Sequence, residues 1–89
     1  MVTVWLWDVD GPRRGASGVS TDEGSARGAA REAMMSTGAT TAMVEQAEHH
    51  AGGGWMRSSY SRSGTGWTAT RSGDRVRWSR FRRPERAAS

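Results

Sequence analysis

The spacing of apolar and polar positions predicts a strand at the start of the chain, followed by a loop. Residues 2–9 are β-branched and aromatic, which favours a strand. Both faces of this strand are apolar, so we expect it to be central in a sheet or covered on both sides. Residues 10–19 contain Gly and Pro at positions typical of turns and predict a loop.

The next segment has the pattern of an amphipathic helix that runs to about Ser36. The sequence Ser20-Thr-Asp-Glu23 matches a capping box, in which the Ser20 hydroxyl accepts from the helix N-terminus and Glu23 reaches back. Gly38, after Thr37, is the predicted C-cap. Arg27 and Arg31 lie off the apolar face. That face consists of Ala26, Ala29, Ala30, Ala33 and Met34.

Residues 39–50 are compatible with two kinds of element. The β-branched start favours a strand with Ala42 and Val44 inward, and this is the interpretation we prefer. The later Glu-Gln-Ala-Glu sequence favours a second helix that continues to His50. The run Gly52-Gly-Gly54 ends either element.

The remainder predicts an antiparallel meander. Strands are expected over Trp55–Arg62, Trp67–Ser72 and Arg75–Phe81, with a turn over Ser63–Gly66. A two-residue turn at Gly73-Asp74 fixes the register of the last hairpin. This register pairs Arg71 with Val76, Thr70 with Arg77, and Ala69 with Trp78. One face then carries Trp67, Ala69, Val76 and Trp78, and the other carries Thr68, Thr70, Arg75, Arg77 and Ser79.

These elements predict an α+β fold of β-α-β-β-β order, with a four-stranded, mainly antiparallel sheet and one covering helix. We expect residues 1–81 to form a single domain and residues 82–89 to form a disordered basic tail. A chain of 89 residues is near the size at which one core only just suffices. Because the chain has one Leu and no Ile, we expect most of the five Trp to serve the core.

Charge is distributed unevenly between the two halves. All 13 basic residues are Arg, and residues 51–89 hold nine of them against Asp74 and Glu85, a net charge of +7. Residues 1–50 hold four Arg against seven acids, a net charge of −3. The GC-rich codons of Arg explain a high total of Arg, but they do not explain this asymmetry. The uneven placement therefore indicates a surface that contacts an anionic partner.

Arg residues on the exposed face and rims of the meander are the candidate phosphate contacts. Guanidinium groups pair with phosphate oxygens, and exposed aromatic rings can stack on bases. The alternatives are a solvated surface and an acidic protein partner. The residues that we expect to contact nucleic acid are Arg57, Arg71, Arg75, Arg77 and Arg80.

Metal binding and catalysis have little support in the sequence. His49-His50, with Glu45 and Glu48, is the nearest approach to a metal cluster, but adjacent histidines point in different directions on a regular element. Glu45 and His49 are expected to share a face only if the segment is helical. Asp8 and Asp10 end a strand without a partner base and fit turn formation better than acid–base catalysis. We therefore expect no enzyme activity, no metal, no cofactor and no small-molecule substrate.

The stretches Trp5-Leu-Trp-Asp8, Ser58-Ser-Tyr60, Gly64-Thr-Gly-Trp67 and Arg75-Val-Arg-Trp78 resemble a group of small proteins from Streptomyces and related actinomycetes. Some members of that group occur in integrative or plasmid-type elements. The resemblance implies a high-GC, cytoplasmic origin and supports a strand over Met43–Ala47. It transfers no activity and no functional residue.

The leading hypothesis is a non-enzymatic nucleic-acid-binding or regulatory accessory protein that contacts DNA or RNA. The alternative is a protein-interaction module, for example a homodimer, whose exposed Trp and Arg form a hot spot. A minor alternative is a ribonuclease-type toxin, because toxins that cleave messenger RNA on the ribosome have a similar order of elements. Their usual Tyr/Arg/His pattern on the last strands is not evident. Without Cys, a signal peptide or a membrane-length apolar run, we expect a soluble cytoplasmic protein without a membrane partner.

Overall fold

A computed structural model describes residues 2–50 and 59–82, which form one antiparallel sheet covered on one face by a helix. The elements are β1 (Val2–Asp10), β2 (Gly15–Ser20), α1 (Glu23–Thr37), β3 (Thr41–His50), β4 (Ser59–Ser72) and β5 (Arg75–Arg82). The strands lie in the order β2-β1-β3-β4-β5. The α+β class and the single helix are confirmed. The sheet has five strands instead of the predicted four.

The additional strand is β2, in a segment that the sequence analysis assigned to a loop. It forms a hairpin with β1, from the pair Asp10–Gly15 to the pair Trp5–Ser20. Its sequence, Gly-Ala-Ser-Gly-Val-Ser, has almost no β-branched or aromatic residues. The Trp7 ring takes the place of the missing side chain, since a Cβ on Gly18 would lie 2.7 Å from that ring. Cross-strand packing of an indole on a glycine outweighs the weak local propensity of β2.

Helix α1 begins and ends close to the predicted residues, but its N-cap differs. Asp22 is the N-cap, and its Oδ2 accepts from the Ser25 backbone N–H at 2.8 Å. The Ser20 hydroxyl instead accepts from the Asp22 backbone N–H, so the predicted Ser20–Glu23 capping box is wrong. Gly38 ends the helix with φ 78°, as predicted, and its N–H donates to the Met34 carbonyl.

The segment that was compatible with a strand or a helix is the strand β3, and it occupies the centre of the sheet. It pairs with β1 on one side and with β4 on the other, so its backbone groups are bonded on both edges. A helix here would break both ladders. The preferred interpretation is therefore confirmed, although the strand starts at Thr41 and extends to His50.

The predicted turn at Ser63–Gly66 is a bulge within one long strand. β4 runs without interruption from Ser59 to Ser72, and its register against β3 shifts between Glu45 and Ala47. Gly64 has φ 82° in this bulge, a conformation that glycine adopts at little cost. The prediction mistook a local irregularity for a chain reversal, because both use Gly and Ser.

The last hairpin has the predicted register, with Arg71 opposite Val76, Thr70 opposite Arg77 and Ala69 opposite Trp78. β5 includes Arg82, so the predicted tail begins at least one residue too early. Residues 51–58 and 83–89, which include the start of the predicted Trp55 strand and the rest of the tail, lie outside the described residues.

The core lies between α1 and the sheet and consists mainly of small side chains. Helix α1 packs chiefly on β1, β2 and β3. The residues buried there are Val9, Ala26, Ala30, Ala33, Met34, Ala39, Ala42, Val44 and Ala69. Four of the five residues predicted for the helix face are among them, while Ala29 is half-buried. Trp5, Trp7, Trp67 and Trp78 pack against this cluster and stay half-buried, in agreement with a core role.

On the opposite side of the sheet no described residue belongs to a helix, and we call this side the open face, although Val4 and Ala47 are buried on it. Val9 of β1 and Ala42 and Val44 of β3 face the helix, so the residues of even number in β1 and of odd number in β3 point to the open face. The pairs Leu6–Glu45 and Asp8–Met43 lie there. In β4 and β5 this face carries Tyr60, Arg62, Arg77 and Phe81. No helix among residues 2–50 and 59–82 is long and apolar enough to span a membrane.

Candidate nucleic-acid interface

A column of charged residues on α1 faces the β4–β5 hairpin. Glu23, Arg27 and Arg31 follow one another at intervals of four residues, so they lie along one side of the helix. Each makes a different contact with the hairpin. The column is next to the buried alanine face and marks the margin of the helix.

The first two members of this column cover the tryptophans of the hairpin. Glu23 Oε1 accepts from Trp67 Nε1 at 2.7 Å. The Arg27 guanidinium carbon lies 4.2 Å from the centroid of the Trp67 ring and 4.8 Å from that of Trp78. Arg80 approaches Trp67 as well, at 5.3 Å. Both rings are therefore covered by arginine, which places positive charge above aromatic faces.

Arg71 links the hairpin to the segment that follows α1. Its Nε donates to the Ala39 carbonyl at 2.9 Å, and its Nη1 donates to the Gly73 carbonyl. The Arg71 backbone N–H donates to the Thr40 carbonyl at 2.8 Å. Arg71 thus holds the turn of the hairpin in place, and part of its hydrogen-bonding capacity is used inside the protein.

Next to this turn, four arginines line one cavity of about 690 Å³, which we call the hairpin-tip cavity. Arg31 comes from α1, Arg71 from β4, and Arg75 and Arg77 from β5. Asp74 is the one acid in the lining. The lining therefore holds four arginines against one aspartate. Arg31 and Arg71 belong to the helix side of the hairpin and Arg75 and Arg77 to its open face, so the positive charge surrounds the hairpin tip on both sides.

The five arginines predicted as a contact surface do not lie on one face. Arg75 and Arg77 project to the open face, as predicted. Arg71 and Arg80 lie on the helix side, because they pair with Val76 and Trp67. Arg57 lies outside the described residues. The structure brings Arg71, Arg75 and Arg77 together at the hairpin tip and separates them from Arg80, which lies beside Trp67.

A buried ion pair anchors the open face near the bulge. The side chain of Glu45 is 1% exposed and its Oε1 accepts from Arg62 Nη1 at 2.8 Å, while the Arg62 side chain is 56% exposed. Glu45 Oε2 accepts from the Gly64 backbone N–H at 3.2 Å. Gly66 is opposite Glu45, where a side chain would overlap the Val44 carbonyl oxygen. The bulge thus folds around the Glu45 carboxylate and leaves the outer part of Arg62 in solvent.

The histidine pair does not form a metal site with the nearby glutamates. The ring of His49 lies 5.2 Å from the Tyr60 ring on the open face, and His50 Nε2 lies 2.9 Å from Ser61 Oγ. Glu45 and His49 share a face in a strand too, which corrects the expectation that only a helix allows this. Four residues of strand separate them by about 13 Å. Residues 2–50 and 59–82 contain no group of three potential metal ligands.

Asp8 and Asp10 lie on the open face of β1, on the opposite side of β3 from Arg75 and Arg77. Both line a shallow cavity with Thr41, Met43 and Thr68. The open face therefore carries acidic side chains on β1, next to the edge strand β2, and arginines on the other edge strand, β5. Met43 of β3 lies between them.

No family model, curated protein or solved structure matches this chain. The resemblance to actinomycete proteins stays a prediction.

Sequence reasoning missed Glu23, Arg27 and Arg31 as parts of this region. The available signal was their spacing, since the three positions are separated by four residues and flank the alanine face. It also treated Glu45 only as a poor metal ligand. Its burial and its partner Arg62 depend on a bulge 17 residues away in sequence, which no local pattern indicates.

Proposed function

We propose that this protein is a non-enzymatic nucleic-acid-binding accessory protein that contacts phosphates through the hairpin-tip cavity. The observation that carries the proposal is the clustering of Arg31, Arg71, Arg75 and Arg77 at the hairpin tip, where Asp74 is the one acid in the cavity lining. Arg75 and Arg77 belong to an edge strand, so one side of their backbone has no neighbouring strand among the described residues. A phosphate chain can therefore approach them without displacing another element.

The proposal predicts salt-dependent binding. Each phosphate contact contributes about 0.7 to 0.9 to the slope of log affinity against log salt concentration. Fluorescence anisotropy with labelled DNA and RNA, starting at about 50 mM salt, measures both the affinity and this slope. The double variant Arg75→Ser with Arg77→Ser is expected to weaken binding and to lower the slope by about 1.4 to 1.8.

A matched control separates local contacts from overall charge. Arg13→Ser with Arg14→Ser removes the same charge from the turn between β1 and β2, where both side chains are exposed. It is expected to change binding less than the hairpin variant does. Equal losses would indicate attraction by net charge alone, and absence of binding at about 50 mM salt would refute the proposal.

A second candidate is a protein-interaction module that forms a homodimer. It is favoured by the exposed apolar side chains of the open face, where Val2 is 52%, Val19 50% and Tyr60 41% exposed. Sedimentation over a range of concentrations tests it. A dimer that Arg75→Glu with Arg77→Glu dissociates, together with no nucleic-acid binding, would support this function instead of the first.

A further inference from the structure

The open face along β4 and β5 combines positive charge with aromatic rings. Arg75, Arg77 and Phe81 of β5 lie on this face opposite Ser72, Thr70 and Gly66 of β4, and Arg62 and Tyr60 lie further along β4, beyond the bulge. We call Arg75, Arg77, Phe81, Arg62 and Tyr60 the β4–β5 strip. Among the described residues of these two strands there is no acid on this face. The carboxylate of Glu45, on β3, is buried beneath Arg62. The unpaired positive charge of the strip is therefore at Arg75 and Arg77, whereas Arg62 is paired with Glu45 and leaves the outer part of its side chain in solvent.

The strip is long enough for several nucleotides. Arg77 is opposite Thr70, which is opposite Thr41, and Tyr60 is opposite His49. Thr41 and His49 are eight residues apart along β3, which corresponds to about 27 Å of strand. Arg75 and Arg77 lie at one end of the strip and Arg62 lies near the other end, with Phe81 between them. This alternation of cation and ring matches the two surfaces that single-stranded nucleic acids offer, phosphates and base faces.

The centre of the sheet offers space for a base next to the strip. A cavity of about 460 Å³ has an apolar part formed by Leu6, Val19 and Met43 and is also lined by Asp8, Tyr60 and Arg62. Tyr60 is 41% exposed, and its ring contacts that of His49 at a tilt of 39°, which orients it without covering it. A flat apolar group that enters the cavity can stack on Tyr60 and contact the Arg62 guanidinium.

The side of the open face away from β5 has the wrong charge for phosphates. Asp8 and Asp10 lie on β1, and no described Arg is on the open face of that strand. A bound chain is therefore confined to the β4–β5 side, with its phosphates along β5 and its bases toward Leu6 and Met43. A duplex cannot bind in this way, because its base faces are stacked inside the helix.

We propose that the open face binds a single strand of DNA or RNA, with Arg75 and Arg77 on phosphates and Tyr60 stacked on a base. This inference rests on the proposed function and specifies its substrate class. It assigns Tyr60 and Arg62 to the interface, at the far end of the strip from the hairpin-tip cavity.

The test compares three labelled ligands of one sequence with the full chain: a 12-nucleotide DNA strand, the same RNA strand, and the 12-base-pair DNA duplex, a length within the usual range of roughly 4–16 nucleotides. At about 50 mM salt, anisotropy is expected to show at least about tenfold tighter binding of either single strand than of the duplex. If the DNA strand and the RNA strand bind with similar affinity, the contacts are to phosphates and bases. If the RNA strand binds more tightly, the protein also contacts the 2′-hydroxyl groups. Both results support the inference.

The decisive variant is Tyr60→Ala, with Tyr60→Phe as its matched control. Loss of one stacked base lowers single-strand affinity by about 5- to 150-fold, whereas Tyr60→Phe retains the ring and most of the affinity. Circular dichroism checks that both variants are folded. Duplex affinity is expected to be unchanged in both.

Three results would overturn the inference and can be told apart. If duplex binds as tightly as single strand and Tyr60→Ala changes neither affinity, the hairpin-tip cavity binds phosphates but the open face does not bind bases. If no ligand binds at about 50 mM salt, the proposed function fails as well. Sedimentation of the wild-type chain as a dimer that binds no nucleic acid would assign the open face to a second copy.

Discussion

Two regions on the helix side of the sheet are covered from solvent in different ways. Over β2, β1 and β3, the backbone of α1 lies close to the strands, because Ala26, Ala30 and Ala33 meet side chains such as Ala42 and Val44. Over the β4–β5 hairpin there is little helix contact, and long side chains close the surface instead. Arg27 and Arg80 cover Trp67 and Trp78 there.

This difference explains how a chain with few large aliphatic residues makes both a core and a charged surface. The alanine region buries backbone and small side chains and has no charge to offer a partner. The hairpin region uses arginine stems as apolar cover and keeps the guanidinium groups near water. Stability and positive charge therefore depend on the same residues in the hairpin, whereas they are separate elsewhere in the sheet.

The largest expected effect on stability comes from a substitution at Gly66 of β4, where the hairpin region pairs with β3. A Cβ on this residue would overlap the Val44 carbonyl oxygen and lie 2.8 Å from the Glu45 Cα. Because the obstructing atoms are backbone, Gly66→Ala is expected to lower the free energy of unfolding by about 3 kcal/mol, a large fraction of the stability of a small domain. Urea denaturation measures the change.

Gly28→Ala is the matched control for this variant. Nothing lies within 4 Å of a Cβ on Gly28, which is exposed within α1. The substitution is expected to raise the free energy of unfolding by up to about 1 kcal/mol through helix propensity. Loss of stability in the control, or a Gly66→Ala protein as stable as wild type, would contradict the described packing.

A smaller effect is expected from the hydrogen bond that joins α1 to the hairpin. Glu23→Ala removes the acceptor of Trp67 Nε1 and the acidic residue of the first helical turn. We expect a loss of about 1.5–3 kcal/mol, with Glu23→Gln recovering part of it because the amide oxygen still accepts. Thermal unfolding checks both. Glu32→Ala, exposed on the same helix, is expected to change stability by less than about 0.5 kcal/mol.

The smallest effect is expected from removing the arginine cover itself. Arg27→Ala removes two cation–π contacts, which uncovers Trp78 and leaves Trp67 with Arg80 as its remaining arginine contact. We expect a loss of about 1–2 kcal/mol and a shift of tryptophan emission to longer wavelength. Arg31→Ala removes the same charge one turn later and leaves both rings covered. An identical emission spectrum in the two variants would show that Arg27 does not shield the rings.

Local patterns were sufficient for several parts of this protein. The alanine face of α1, the Gly38 cap and the register of the β4–β5 hairpin follow from periodicity and turn chemistry within a few residues. The opposed positions of Arg77 and Trp78 follow from the same register. These features depend on interactions between near neighbours in the chain, which is why they are readable in one sequence.

Other parts depend on contacts between distant segments. The strand β2 forms only because Trp7 packs over Gly18, and the bulge in β4 forms around the carboxylate of Glu45. Arg71 was predicted to be an exposed contact, but it holds the hairpin in place by donating to the Ala39 carbonyl. That partner is 32 residues away in sequence, so no local pattern indicates it. Propensity and spacing carry no information about such partners.

The sequence by itself determined that an alanine-faced helix and a basic, register-fixed hairpin would exist, because helical period, strand alternation and turn residues act locally. Only the tertiary structure decided which arginines meet. It brought Arg31 to the hairpin tip, left Arg75 and Arg77 on the open face with Tyr60, and turned Arg27 and Arg80 onto tryptophan rings. The physical reason is that the sheet order and the position of α1 arise from burial over the whole chain, which no single segment contains.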